Sequence, residues 1–372
     1  MNNRHGYSLI ELMTVLVLFS VAMAGLYTAY SVQMKQGVKQ YKLAESEMEL
    51  EIGKAIIDRD LAMAGYGLMD DYDYDADGFQ EFTPRTASAT NGLTVMDPDT
   101  LTLMGTAIGI ASRAAQGWSY IETVIAGAPP EPILRTFDDA REDVRDGDYV
   151  VIMYPAGKSL LSHGADWLYK YTKGGPSKLD SGDGTFPDSV AGLVLYGLSE
   201  SGGATVPSQP YYAVHYSLGV IPPPPKTCAD GAKNLIRTES ITTETPDPDL
   251  GKPVLNCVLD FQVAFGLDTD DKGGIDEWDN GGNTTAKDYT PKDLTKRLRQ
   301  LRVYALVQEG KRDRDYTYAN PDPAYSTKVD EVRVGDLTLE GGAVGQDFKL
   351  TAEQRKYRWR VVSFTMTSKN MK

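Results

Sequence analysis

Histidine and cysteine are scarce in this chain, at three and two among 372 residues. His5, His163 and His215 stand apart with no zinc-binding helix motif around them, so a histidine-built metal centre is not expected. Cys228 and Cys257 have no metal-type spacing either. Positive charge is in short supply too. The formal net charge is −14, and a surface that acidic repels phosphate backbones and anionic headgroups. Nucleic-acid partners are therefore not expected, and the basic cluster Lys296-Arg297-Leu298-Arg299 reads as a solvated strand edge. Long apolar runs are missing except for one. Residues 12–34 contain neither a charged residue nor a proline; as a helix they would extend about 35 Å, enough to cross a bilayer core.

The chain is far longer than that segment needs. With 41% apolar residues, 36 Gly and 20 Pro, the remainder reads as an ordered, loop-rich and β-rich body with one or two cores of its own. Between Met1 and Lys42 the only acid is Glu11, so the negative charge belongs to the body. If that body lies outside the cytoplasm, Cys228 and Cys257 sit in an oxidising compartment and can close a disulfide loop of roughly 30 residues; two buried thiols are the alternative.

Three readings compete for the N-terminal segment. An ordinary secretory signal is cleaved after its apolar core, and Ala22-Met23-Ala24 offers an A-x-A pattern, but that site falls inside the run. A plain anchor accounts for the hydrophobicity and not for Glu11, whose carboxylate is costly near the start of a spanning helix unless it finds a partner. The third reading rests on Gly6-Tyr7-Ser8-Leu9-Ile10-Glu11-Leu12-Met13, preceded by Arg4. This stretch closely resembles the class III signal of type IV prepilins: a short basic leader ending in Gly, an aromatic residue, and a Glu four positions on. Tyr7 stands where Phe is commoner.

The resemblance implies cleavage between Gly6 and Tyr7 by a prepilin peptidase, N-methylation of the new terminus, and retention of the apolar helix. The physics agrees. Cleavage creates an amine at Tyr7, and Glu11 of a neighbouring subunit neutralises it where both are shielded from water, setting the axial register of packed helices. Glu11 is then a docking residue and not a catalyst. The segments Arg59-Asp60-Leu61-Ala62-Met63-Ala64-Gly65-Tyr66-Gly67 and Asp260-Phe261-Gln262-Val263-Ala264-Phe265-Gly266-Leu267-Asp268-Thr269-Asp270 are similar to the large PilW-type minor pilins. This implies a sparse subunit at or near the filament tip that helps start assembly. A minor pseudopilin of a type II secretion system shares the N-terminal chemistry, and an anchored binding module or hydrolase is a further alternative. Implied partners are other minor and major pilins, the prepilin peptidase and the inner-membrane assembly platform. The precursor would span the inner membrane with its body in the periplasm, and the mature subunit would end in a pilus or at the cell surface.

The expected fold is α+β and pilin-like, a long N-terminal helix on a large, mainly antiparallel sheet. A leader (1–6), a membrane half of the helix (7–34), an amphipathic half (35–67) and a body (68–372) follow from the pattern, with two lobes dividing near 222 as an option. Met34, Val38, Tyr41, Met48, Ile52 and Ala55 recur at helical spacing, and Leu43, Leu50 and Ile57 form a second stripe. Gly65 and Gly67 are stop signals, and Gly25 is the place for any local unwinding. Strands are predicted at 100–104, 149–154, 193–196, 211–218, 254–265, 299–307 and 357–367, several with one covered face. Residues 172–189 read as an exposed loop and 222–225 as a stiff connector.

Chemistry is sparse. Asp73, Asp75 and Asp77, alternating before Gly78, could turn oxygens onto one Ca²⁺, and Asp268, Asp270 and Asp276 repeat the idea less well, with Lys272 in the way. Pro84 and Asp279 occupy the twelfth positions where a bidentate Glu is expected, so a solvated acidic turn is the competing reading for each. Such a metal would be structural, and no cofactor is required. Gly157-Lys158-Ser159 ends like a phosphate loop but Ile152 replaces its first Gly; Gly197-Leu198-Ser199-Glu200-Ser201 narrowly misses a nucleophile turn. No enzyme is expected.

Overall fold

The computed structural model describes residues 9–68, 84–90, 97–110, 112–125, 131–134, 143–154, 159–161, 167–172, 178–180, 192–200, 207, 209–241, 251–281, 285–339 and 343–367. A stretch free of proline forms one helix, α1 (Leu9–Met63), of 55 residues, about 80 Å long at 1.5 Å per residue. It is continuous through Gly25. It ends where Gly65 and Gly67 take φ values of 76° and 71°, a left-handed turn that glycine adopts without strain. Gly65 N–H then donates to Met104 O at 2.8 Å, tying the helix end to the sheet.

The body follows in chain order. Strands β1 (Ala87–Thr90) and β2 (Thr100–Gly105) begin a larger sheet. A second sheet comes next, from β3 (Trp118–Ile125), β4 (Glu131–Leu134), β5 (Asp148–Tyr154), β6 (Ser159–Leu160), β7 (Tyr169–Thr172), β8 (Lys178–Asp180) and β9 (Val194–Glu200). The chain returns to the larger sheet with β10 (Tyr212–Gly219), β11 (Lys233–Ser240), β12 (Lys252–Leu267) and β13 (Glu277–Asn280). Two short helices, α2 (Thr285–Asp288) and α3 (Pro291–Arg297), lead to β14 (Leu298–Glu309). A separate hairpin, β15 (Glu331–Asp336) and β16 (Val344–Lys349), precedes β17 (Arg358–Thr367). Among the described residues the larger sheet runs β1-β2-β10-β11-β12-β14-β17 with β13 beside β12, and the second runs β4-β3-β9-β5-β7-β8 with β6 beside β5. All these pairings are antiparallel. The α+β, pilin-like expectation therefore describes the molecule.

All seven predicted strand segments are strands, and several details differ. The option of two lobes dividing near 222 places a boundary inside one sheet, because β10 and β11 pair on either side of it from Ala213↔Ser240 to Gly219↔Asn234. The second sheet is instead an insertion between β2 and β10. The expected exposed loop at 172–189 contains β8. The alternating run Leu301-Arg302-Val303-Tyr304-Ala305-Leu306-Val307 has both faces covered rather than one. Leu301, Val303, Ala305 and Val307 join the core beneath α1, while Tyr304 and Leu306 join a second core beneath the β15–β16 hairpin. Arg302 reaches that side too, with its guanidinium 5.4 Å from the Trp278 ring centre and 3.3 Å from Asp336. A cation over an indole can sit between layers, which an alternating polar–apolar pattern does not reveal.

The helix stripe differs as well. Met34, Val38, Tyr41, Met48 and Ile52 are 52%, 55%, 67%, 65% and 65% exposed, and Ala55 is exposed. The buried set on α1 is Leu50, Gly53, Ile57, Asp60 and Leu61, with Ala64 just beyond it. The second stripe is the one that faces the body, since Leu50 and Ile57 belong to this set and Leu43 packs at Gly310; because the face also holds a glycine and an acid, a count of apolar residues favours the longer, exposed stripe.

Candidate assembly helix and its anchorage

Gly6 and Tyr7 lie outside the described residues. Glu11 is in the first turn of α1 and exposed. Beyond it the surface is apolar: Leu12, Met13, Val15, Leu16, Val17, Leu18, Phe19 and Val21 are each 59–66% exposed. The serine and threonine hydroxyls described in this half do not interrupt it. Thr14 donates to Ile10 O, Ser20 to Val17 O, Thr28 to Ala24 O and Ser31 to Thr28 O, so each is satisfied by the helix's own carbonyls. The most apolar 18-residue window has a mean hydropathy of 2.3, and none of it is covered by the body. Length and composition allow it to cross a bilayer. Residues 12–34 contain no Lys or Arg, so this half of the helix supplies no cation to Glu11.

The other end is held firmly. Gly53 lets α1 touch β12, since a Cβ there would lie 2.3 Å from Val254 O and 2.5 Å from Leu255 Cδ2. One turn further in, Ile57, Asp60, Leu61 and Ala64 are at most 1% exposed. Asp60 is the anchor. Arg237 Nε donates to its Oδ2 at 2.5 Å and Nη2 to its Oδ1 at 3.3 Å, and Tyr216 O–H donates to Oδ2 at 2.6 Å. Arg237 also donates to Glu239 at 2.6 Å and to Ile108 O at 3.2 Å, and Glu239 in turn accepts from Ile110 N–H at 3.0 Å. Burial opposes the Arg237 cation, but hydrogen bonding to Asp60 and the charges of Asp60 and Glu239 outweigh it, so its pKa is raised. The Tyr216 hydroxyl is pushed up by burial and by the Asp60 charge. A buried pair this fully hydrogen-bonded is costly to break from one side, on the order of 3–5 kcal/mol. Asp60 and Arg237 were not singled out in the sequence; the available signal was an acid on the same helical face as Leu50, Ile57 and Leu61, where a charge requires a buried partner.

The far end of α1 meets the inserted sheet. Tyr66 and Tyr196 share a hydrogen bond of 2.5 Å between hydroxyls, with their rings edge-on at 5.6 Å. At the near end, Cys228 and Cys257 are disulfide-bonded, joining the β10–β11 connection to β12. Thr227, adjacent to this bond, lines with Lys42, Glu45, Glu49, Cys257 and Gln308 a cavity of about 190 Å³ between α1 and the body.

The first acidic loop, Asp73, Asp75 and Asp77, lies outside the described residues. Asp268, Asp270 and Asp276 do converge, with one oxygen from each within 4.8 Å of the others. Their oxygens are engaged by the protein. Asp268 accepts from Lys272 N–H, Gly273 N–H and the Arg299 guanidinium; Asp270 accepts from Lys272 Nζ at 2.6 Å; Asp276 accepts from Thr269 N–H and O–H. Arg299 is the main cause holding Asp268 below the usual carboxylate range, and Thr269 does the same for Asp276. The basic cluster is thus an internal partner rather than a solvated strand edge: Arg299 binds Asp268, and Arg297 binds Asp271 at 2.9 Å and Thr269 O at 2.6 Å.

Another acid is buried with no cation beside it among the described residues. Asp99 is 1% exposed; it accepts from Val263 N–H at 2.8 Å through Oδ2, while Oδ1 has no partner. Burial, with Asp260 nearby, pushes its pKa up to about 7. Asp260, fully buried, accepts from Phe261 N–H, Gln262 and Gln346, and its pKa is also raised by burial. His215 is a strand residue on β10, hydrogen-bonded to Thr102 at 2.9 Å, with its pKa lowered by burial.

Comparison with known proteins bears on the two ends of this arrangement separately. Residues 1–27 match the prokaryotic N-terminal methylation motif, and residues 226–370 match the type IV pilus-assembly protein W family. The second match covers β11 to β17. It contains the segment beginning at Asp260, whereas Arg59–Gly67 and the inserted sheet lie outside both matches. Neither family describes an enzyme. No curated protein matches the sequence. Among solved structures, the type IV-like pilin TTHA1219 from Thermus thermophilus aligns over 87% of this chain and 97% of its own at 12% identity, with a TM-score of 0.32, too low to argue from. The chain is type IV pilin-like, with a prepilin methylation motif at one end and a PilW domain at the other.

Proposed function

We propose that this type IV pilin-like chain is a minor pilin, cleaved between Gly6 and Tyr7, that takes part in starting filament assembly and sits at or near the tip. The observation that carries the reading is the bare half of α1, an apolar surface with one carboxylate, Glu11, rigidly fixed through Asp60 to a large body. Such a surface is stable in a bilayer or against other helices of the same kind, and a carboxylate within it calls for a cation from another chain. The new amine of a neighbouring subunit at Tyr7 is that cation. The body argues for sparse use. It combines two sheets and a hairpin, which is bulky to repeat in a closely packed helical filament. The inserted sheet meets the end of α1 far from the membrane half, where a terminal subunit would present surface. Its partners would be other pilins, the prepilin peptidase and the assembly platform.

Intact mass of the mature membrane protein tests processing, and a methylated Tyr7 as first residue is expected. Deletion of the chain should leave cells with few or no filaments, and purified filaments should hold a copy number independent of their length. Copies in proportion to length would make it a repeating subunit. Copurification with a secretin-based export machine and normal piliation in the deletion strain would assign it as a pseudopilin.

A further inference from the structure

The connection between β10 and β11 is unusual for a surface loop. Val220-Ile221-Pro222-Pro223-Pro224-Pro225-Lys226 offers no polar side chain until Lys226, yet Val220 and Ile221 are 56% and 50% exposed and Pro223, Pro225 and Lys226 are exposed. Apolar surface at a loop tip marks an interaction site more often than a fold requirement.

Contacts along α1 show where this loop points. Asp60 meets Tyr216 and Arg237. Toward the helix N-terminus, Gly53 lies against Leu255, which opposes Leu235. Further still, Lys42, Glu45 and Glu49 share a cavity wall with Pro225, Thr227 and Lys311, and Leu43 packs at Gly310. Each step toward the membrane half of α1 is thus a step along β10 and β11 toward the proline loop. From Met34, the end of the uncharged run, to Leu43 is about 14 Å of helix. The headgroup layer spans about 5–8 Å of that, and an ordinary helix tilt of about 20–40° closes what remains.

Charge at this edge is mixed. Lys226 and Lys311 are exposed, Glu45 is paired with Lys42, Glu49 accepts from the Asn256 amide at 3.4 Å, and Asp230 is exposed in the same connection. Lysines beside an apolar patch complement an anionic bilayer surface, although the body's total charge opposes it.

Resting on the reading of α1 as a membrane anchor, we propose that the 220–226 loop seats in the headgroup layer of the same bilayer. It would be a second contact that sets the tilt of the body before the subunit enters an assembly.

The test uses the full chain in vesicles of phosphatidylethanolamine and phosphatidylglycerol with acyl chains brominated near the headgroup. Emission is read as the difference from the parent protein for Phe19→Trp, Ile221→Trp and Leu337→Trp. Leu337 is 46% exposed and follows Asp336, which pairs with Arg302 toward the opposite end of β14. Bromolipid should quench Phe19→Trp and Ile221→Trp several-fold more than Leu337→Trp, with Val220→Trp repeating the result. Lys226→Glu with Lys311→Glu should weaken the quenching of Ile221→Trp alone. Quenching at Phe19 without quenching at Ile221 or Val220 overturns the loop contact and keeps the anchor; no quenching at Phe19 overturns the anchor reading and the loop contact with it. A Trp at 221 shielded from acrylamide but untouched by bromolipid would mean a protein neighbour, which also overturns the proposal.

Discussion

The two halves of α1 treat the same problem in opposite ways. Each sets one acid among apolar neighbours, Glu11 on the bare surface of the first half and Asp60 on the buried face of the second. Asp60 is fully buried and meets Arg237 and Tyr216 within its own chain. Glu11 stands on a surface that the body leaves bare, in a segment without Lys or Arg. Burying a carboxylate requires a partner in either case; the difference is whether the partner comes from the same chain. One half of the helix is therefore a foldable element of the body and the other a contact surface for something else, a bilayer first and, on the proposed reading, other subunits later.

The largest effects should come from separating these roles. Glu11→Ala should abolish or severely reduce filaments, counted by electron microscopy, while changing the stability of the detergent-solubilised chain by no more than about 0.5 kcal/mol. Normal filaments in that variant would remove the docking role. Asp60→Ala should behave in the opposite way, lowering stability in urea by about 3–5 kcal/mol because the buried Arg237 loses its bidentate acceptor and keeps only Glu239 and Ile108 O, while the Tyr216 hydroxyl loses its acceptor as well. The double variant Asp60→Leu with Arg237→Met should recover part of that loss. A loss below about 1 kcal/mol for Asp60→Ala would mean that the clamp does not hold the helix.

The disulfide ties the β10–β11 connection to β12. Replacing Cys228 and Cys257 by Ser should cost about 3–4 kcal/mol in the chain-entropy picture, for a sequence separation of 29, measured as the shift in urea midpoint with and without reductant. Asp99 should impose a pH dependence. Its carboxyl rises from the ordinary 3.8 to about 7 in the folded chain, so the folded state holds a proton that the unfolded state has released. Its contribution to stability is fully present below about pH 4 and is lost as pH rises toward 7, by about 2–4 kcal/mol. Asp99→Asn should flatten that fall and raise the melting temperature at pH 8, since the amide oxygen can still accept from Val263 N–H. The smallest effect concerns calcium. With Asp268, Asp270 and Asp276 already accepting from Arg299, Lys272 and Thr269, millimolar Ca²⁺ should move the melting temperature of the chain little. A rise of several degrees, lost in Asp270→Ala, would assign that loop as a metal site.

Much of this arrangement was legible from one dimension. The uncharged run from 12 to 34, the Gly-Tyr-x-x-x-Glu signal and the Gly65 and Gly67 stops are local, and the first of these stops lies two residues past the end of α1 at Met63. Strand segments with strong apolar runs were found for the same reason. The Cys228–Cys257 disulfide was also anticipated, from compartment rather than from pattern, but most features that depend on a distant partner escaped. The hairpin that covers the outer face of β14, the inserted sheet, and the pairing of Arg299 with Asp268 all join residues that pattern analysis treats one at a time.

The side of the helix that faces the body shows the limit most clearly. Met34, Val38, Tyr41, Met48 and Ile52 form a regular apolar stripe, and they remain exposed. Gly53 and Asp60 lie on the opposite, buried face. By itself the amino-acid sequence determined that a long helix begins with a membrane-length apolar half and one carboxylate, because hydrophobic length and charge are properties of consecutive residues. Only the tertiary structure decided which face of that helix is spoken for. That choice depends on a glycine allowing backbone contact with β12 and on an acid finding Arg237, 177 residues away, and neither is a property of the helix alone.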